Sequence, residues 1–169
     1  MSEAVLRPLR LEDVDRVLEL EVTLFGLGAW TRGMYENELS TPGRTYVAVE
    51  EDGVLVGYAG ANLGEESHVM TIGVAPQARR RGYASRMLSE LMATARRHGA
   101  TSMLLEVRAD DDGPQGLYRR FGFEQIGVRP GYYQLEGADA VVMRAPLAAP
   151  PGLPGDEPPG RNPPRPPTA

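Results

Sequence analysis

Three groups of residues in this chain have the types and spacing to do chemistry. The first is the run Val74-Ala-Pro-Gln-Ala-Arg79-Arg80-Arg81-Gly82-Tyr83-Ala84, where a β-rich segment gives way to an amphipathic one. Ala84, Met87, Leu88, Leu91, Met92 and Ala95 recur at helical spacing, which predicts a helix over roughly Tyr83 to His98 that starts beside Gly82. The first N–H groups of a helix lack intrahelical acceptors, and the macrodipole adds about half a positive charge there. Gly82 has no side chain to hold a diphosphate away from that backbone, and Arg79, Arg80 and Arg81 supply counter-charge. The same letters would also describe an arginine-rich helix start on a solvated surface. Two other phosphate loops are excluded by pattern: no G-x-x-x-x-G-K-S/T is present, and no G-x-G-x-x-G follows a strand.

The second group is Leu104-Leu105-Glu106-Val107-Arg108. A carboxylate inside an apolar strand covered on both faces is costly unless it is paired, wet or used. Burial there would favour the protonated form and make Glu106 a competent base near neutrality. The alternative is a glutamate at a strand end that faces solvent. The third is Tyr118, on a short helix that Gly122 should stop. Its phenol either packs in the core with its hydroxyl satisfied or serves a reaction.

The elements that must position these residues follow from the same periodicities. Ala4 to Leu9 reads as a strand, and Leu11 to Phe25 as a helix with Glu12 and Asp13 in its first turn, where they complement the dipole. Thr31 can cap a second helix that runs to Leu39. Arg44 to Glu50 and Val54 to Leu63 are β-rich runs joined by the hairpin signal Glu51-Asp52-Gly53, and Ser67 to Val74 continues the sheet. After the long helix come a strand at Ser102 to Arg108, a short helix at about Pro114 to Phe121, and strands at Phe123 to Arg129 and Ala140 to Arg144. That order predicts an α/β chain with a central mixed sheet and helices on both faces, in which the strands flanking the long helix run parallel.

Composition narrows the class. A chain of 169 residues, 41% of them hydrophobic, suffices for one core and one domain over residues 1–145. From residue 146 onward proline dominates and almost no large apolar residue remains, so 146–169 is expected to be a disordered or polyproline II tail. With no cysteine, disulfides, thiolate metal sites and a cysteine nucleophile are excluded, and two histidines argue against a histidine-rich metal site. The N-terminus lacks the plan of a signal peptide, and no apolar run is long enough to cross a bilayer, so the expected location is cytoplasmic with no membrane partner. A formal net charge of −5 argues against nucleic acid as a partner and suits a cationic or amine-bearing substrate.

The spacing Arg79-x-x-Gly82-x-Ala84, set after a strand in this element order, resembles the pyrophosphate loop and fold of the GCN5-related N-acetyltransferases (GNAT), which use acetyl-CoA as co-substrate and no metal. Leu104-Leu-Glu106-Val-Arg108, Leu117-Tyr118 with Gly122-Phe123, Gly127-Val-Arg129 with Tyr132-Tyr133, and Asp139-Ala140 with Met143 resemble the RimI-type protein N-α-acetyltransferases across roughly Glu3 to Arg144. The resemblance implies acetyl transfer to the N-terminal amine of a protein, a ribosomal protein or another, by a monomer or weak dimer. It makes Glu106 the general base and Tyr118 the general acid beside the cofactor. It assigns Arg79, Arg80, Arg81, Gly82, Tyr83 and Ala84 to the diphosphate loop, and the Ile72-Gly73-Val74 backbone to the pantetheine arm. Trp30 and Thr31 match the segment at the peptide entrance, and Tyr132 and Tyr133 the aromatic pair over the peptide channel. Two positions depart from the pattern. Ala29 stands for a proline, and Asp111 for an asparagine that helps hold the cofactor, which an ionised carboxylate can do only as an acceptor. Within the same fold the acceptor could instead be a small amine or a lysine side chain, and a reading from a different class is a non-catalytic acetyl-CoA sensor.

Overall fold

The computed structural model describes residues 3–133 and 137–147. The chain begins with strand β1 (Ala4–Pro8), a short 3-10 turn at Leu11–Asp13, helix α1 (Val14–Phe25) and helix α2 (Arg32–Ser40). Strands β2 (Arg44–Glu51), β3 (Val54–Asn62) and β4 (Glu66–Val74) follow, then helix α3 (Tyr83–Arg97) and strand β5 (Ser102–Arg108). Helix α4 (Asp112–Arg120) and strands β6 (Glu124–Tyr133) and β7 (Ala138–Pro146) complete the described chain. The seven strands form one sheet in the order β1-β2-β3-β4-β5-β7-β6. All neighbours are antiparallel except β4 and β5, the parallel pair expected on either side of the long helix.

The sheet is covered on both faces, and adjacent residues of β3 show it. A Cβ at Gly57 would stand 3.1 Å from the Met87 methyl of α3, whereas the neighbouring Tyr58 points the other way and donates its hydroxyl to Glu21 of α1. The apolar stripe of α3 is buried as its spacing predicts, with Met87, Leu88, Leu91 and Ala95 all at 0% exposure. Each large side chain removed from water there contributes about 1.5–3 kcal/mol. The β2–β3 connection is a two-residue turn with Asp52 at φ 51° and Gly53 at φ 84°, the pair of positive φ values that suits the twist of a hairpin.

Several boundaries differ from the sequence expectation for identifiable reasons. Asp13 does not sit in a helical first turn facing the dipole; it belongs to the 3-10 turn and takes two hydrogen bonds from the Arg7 guanidinium at 2.7 and 2.8 Å. Strand β6 continues past Arg129 through Pro130 and Gly131, because it lies at the edge of the sheet, where a missing N–H costs no ladder bond, and its register shifts over that stretch. Strand β7 reaches Pro146 rather than Arg144. Leu147 is 5% exposed and donates its N–H to Thr101 O at 2.9 Å, so the folded unit runs two residues beyond 145. The rest of the proline-rich segment, 148–169, lies outside the described residues.

Candidate active site

The segment between β4 and α3 has the backbone of an anion site. Arg80 (φ 64°) and Gly82 (φ 78°) both adopt the left-handed conformation, and α3 starts at Tyr83 immediately after. A non-glycine residue pays for that conformation, so Arg80 stores strain in this loop. A Cβ at Gly82 would meet no heavy atom within 4 Å, so open space adjoins the first-turn N–H groups of α3. These features fit the diphosphate of acetyl-CoA. The arginines divide: Arg79 and Arg80 are exposed, but Arg81, expected beside them, is ion-paired with Glu51 at the end of β2. Tyr83 is buried and donates its hydroxyl to the same carboxylate. Arg81 first, then Tyr83, holds Glu51 below the usual carboxylate range. Arg81 and Tyr83 therefore brace the loop against β2 with their side chains, and Arg79 and Arg80, exposed and without an ion pair among the described residues, supply the remaining counter-charge. Ala84 is half-buried at the second position of α3.

Beside this loop the sheet opens. Strands β4 and β5 pair only at Glu66–Ser102, Ser67–Met103 and His68–Leu104, although β4 continues to Val74 and β5 to Arg108. A register shift in β4 near Met70, opposite Gly60 and Ala61, accompanies the parting. The gap widens toward the carboxyl ends of two parallel strands, the place where ligands enter α/β sheets. The backbone of Ile72, Gly73 and Val74 forms its β4 wall, still laddered to β3 on the far side.

Glu106 sits on the β5 wall, with its side chain 10% exposed. Strand alternation puts it on the same face as Leu104, hence as His68 opposite, and as Asn62, whose Oδ1 accepts the His68 main-chain N–H at 2.8 Å. Tyr58 shares that face, so Glu106 looks toward the side of the sheet covered by α1 and α2. One carboxylate oxygen meets Nε2 of His68, and the other accepts from the Arg129 guanidinium at 3.3 Å. A carboxylate in its ionised form can only accept, and against that form the His68 ring would donate from Nε2. Arg129 also lies over the Tyr132 ring, 5.3 Å from its centroid. Burial first, and then the Glu106 charge, pushes the Tyr132 phenol above its ordinary range.

Tyr118 lies on α4, 6% exposed and edge-on to Phe123 at 6.0 Å between ring centroids. Helix α4 is anchored to the end of β5 by buried Gln115, whose Nε2 donates to Arg108 O at 3.0 Å and Ala109 O at 3.3 Å. The helix starts at Asp112, two residues before the expected Pro114. Pro114 therefore falls in the first turn, where its missing N–H has no intrahelical acceptor to lose. Asp111 is the exposed residue preceding the helix, and its side chain makes no capping bond. Gly122, at φ 91°, ends the helix as its position predicts.

At the opposite side, Thr31 caps α2 by accepting the Met34 N–H at 3.3 Å, so its hydroxyl is committed to the helix start. Trp30 is half-buried against Tyr35, 5.2 Å between rings, and its N–H donates to Glu21 at 3.0 Å. Tyr132 is 44% exposed near the end of β6. Tyr133 closes that strand, and its side chain lies outside the described residues. Among the described residues no cluster of His, Asp and Glu could hold a metal ion.

Sequence reasoning missed His68, which it counted only against metal binding, and Glu21, which it did not single out. The signal for His68 was a polar residue inside a β-rich run. Its partner depends on the register of a parallel pair closed through a long helix, and no local pattern encodes that register.

The model of the acetyltransferase (GNAT) family matches residues 14–123. The N-alpha-acetyltransferase RimI of Mycobacterium tuberculosis (strain ATCC 25618 / H37Rv) is 43% identical over 138 residues, covering 78% of this chain and 85% of that protein. A Bacillus subtilis (strain 168) protein, named as a candidate ribosomal protein bS18-alanine N-acetyltransferase, is 32% identical over 144 residues, covering 84% and 95%. The crystal structure of the ribosomal-protein-S18-alanine N-acetyltransferase from Escherichia coli superposes with a TM-score of 0.79 at 22% identity, over 89% of this chain and 99% of that one. The parted strands, the glycine-containing loop at the head of α3 and these likenesses converge: the chain belongs to the acetyltransferase (GNAT) family.

Proposed function

We propose that this chain transfers the acetyl group of acetyl-CoA to the N-terminal α-amine of a protein, with a ribosomal protein among the acceptors, and that Glu106 is the base. The observation that carries this reading is the placement of Glu106, nearly buried on the wall where β4 and β5 part, held between His68 and Arg129. The names of the M. tuberculosis and B. subtilis relatives support the same acceptor class.

Acetyl-CoA supplies an activated acetyl thioester. The first turn of α3, with Arg79 and Arg80, binds its diphosphate, and the open edge of β4 at Ile72–Val74 runs beside the pantetheine arm. An α-amine titrates near 8, so much of it arrives protonated at neutral pH and must lose a proton before its lone pair can attack. Glu106, directly or through one water, takes that proton. His68 and Arg129 orient the carboxylate and limit the cost of burying its charge. Backbone N–H groups near Val74 polarise the thioester carbonyl. As the nitrogen–carbon bond forms and the carbon–sulfur bond breaks, the nitrogen releases its second proton to water, Tyr118 gives its phenolic proton to the departing sulfur, and solvent returns a proton to the phenolate. Trp30 and Thr31 on one side and Tyr132 and Tyr133 on the other flank the acceptor.

The test is incubation with acetyl-CoA and a panel of peptides that vary in the first residue, each with a free N-terminus and one internal lysine, followed by tandem mass spectrometry. Acetyl on the α-amine is the expected result. Acetyl on lysine alone, or none despite measurable acetyl-CoA binding, overturns the proposed acceptor.

A further inference from the structure

The chemistry proposed above leaves the buried carboxyl group of Glu21 unused. Glu21, on the inner side of α1, is 1% exposed, and no cation among the described residues lies within ion-pair distance of it. Its carboxylate is held by three donors from three different places. Oε1 accepts from the Tyr35 hydroxyl of α2 at 2.5 Å and from the Tyr58 hydroxyl of β3 at 3.1 Å, while Oε2 accepts the main-chain N–H of Trp30 at 3.0 Å. Burial, foremost, raises both phenols well above the tyrosine range, and neighbouring Glu21 adds to the effect, so both remain donors at any working pH.

An apolar side chain of similar volume would fill this space without the desolvation cost of a carboxylate. What the carboxylate adds is position, because two of its three donors lead to separate parts of the site, the α1–α2 loop and the β4 wall. Trp30 belongs to the loop between α1 and α2. Tyr58 pairs with Gly73 of β4, where a Cβ would stand 2.8 Å from its Cζ and 2.9 Å from its hydroxyl. Tyr35 packs between them, 5.2 Å from the Trp30 ring and 6.3 Å from that of Tyr58.

We infer that Glu21 is a positioning residue that fixes the Trp30 loop against the Gly73 segment of β4 and thereby sets how the first residues of the acceptor polypeptide are seated. It touches no reacting atom. The inference rests on the reading of Trp30 as part of the acceptor entrance.

Trp30 is the only tryptophan in the chain, so its fluorescence reports this loop alone. With Glu21→Gln, the KM for an acceptor peptide should rise about fivefold to tenfold, the weight of roughly one hydrogen bond. The KM for acetyl-CoA should stay within about twofold, and acrylamide should quench Trp30 more strongly. Tyr58→Phe removes one donor without emptying the pocket and should shift the same quantities in the same direction, which keeps the test valid should Glu21→Gln fail to fold. An unchanged peptide KM overturns the assignment. So does a loss in which both KM values, kcat and melting temperature move together, since that is general loosening. Trp30→Ala separates the two levels. If it leaves the peptide KM unchanged while Glu21→Gln still exposes Trp30, the entrance reading has failed, and the role of Glu21 in acceptor seating falls with it.

Discussion

Glu106 and His68 come from strands whose ladder ends where the two side chains meet, so each limits the freedom of the other where the strands begin to part. In the proposed mechanism Glu106 takes the proton of the acceptor amine and His68 acts through it. We expect Glu106→Gln to lower kcat by about 10²- to 10⁴-fold, the range of general acid–base catalysis, with acetyl-CoA affinity within about twofold. His68→Gln should cost about tenfold in kcat, close to 1.4 kcal/mol of barrier. The double variant should be no slower than Glu106→Gln alone, because residues that act as a unit are not additive. Steady-state kinetics of the three variants against one peptide decides it, and fully multiplicative losses would separate the two residues. At this scale the sequence spoke unevenly. Glu106 stood out because a carboxylate interrupts Leu104, Leu105 and Val107, whereas His68 acquires meaning only from its neighbour across the sheet.

Among the elements, the start of α3 carries the most consequence. Gly82 is left-handed and faces open space, so any side chain there would be strained in the backbone and would project into the volume assigned to the diphosphate. Gly82→Val should abolish acetyl-CoA binding in titration calorimetry while the far-ultraviolet circular dichroism stays that of the parent; retained affinity would move the cofactor elsewhere. The helices were legible because Met87, Leu88, Leu91 and Ala95 repeat with the period of the structure they form. The edge strand was less so, since Pro130 and Gly131 read as breakers and only a position at the sheet edge makes them tolerable. Arg81 shows the same limit. Its place in an arginine triplet suggested phosphate, and the distant Glu51, brought near by the β2–β3 hairpin, has taken it instead.

Over the whole molecule, the order of strands and helices followed from local pattern, and the long-range pairings that build the cleft did not. One such pairing, at the far end of the sheet, also gives the fold a definite acid response. Arg7 joins β1 to Asp13 and to Glu50 of β2, with hydrogen bonds first and burial opposing them, so Asp13 sits below the usual carboxylate range. A carboxylate depressed in the folded state stabilises above its unfolded value near 4 and loses that contribution as pH falls through the lower folded value. Asp13→Asn should therefore cost about 1–3 kcal/mol at pH 7, and in thermal melts the gap to the parent should narrow below the unfolded value and close below the folded one. A gap that persists unchanged at the most acidic pH would show that the hydrogen-bond geometry, not the charge, holds this corner.

The exit of the chain at Leu147 bears on handling the protein. Strand β7 runs against β5 so that Pro146 stands beside Ser102, at the end where β4 and β5 are still laddered, and Leu147 is tied down there by Thr101. Leu147, the last described residue, lies at the closed end of the wedge, away from where its two walls separate. A tether attached there, to a bead or a sensor chip, would leave the mouth facing solution, with clearance for an acceptor as bulky as an intact folded protein.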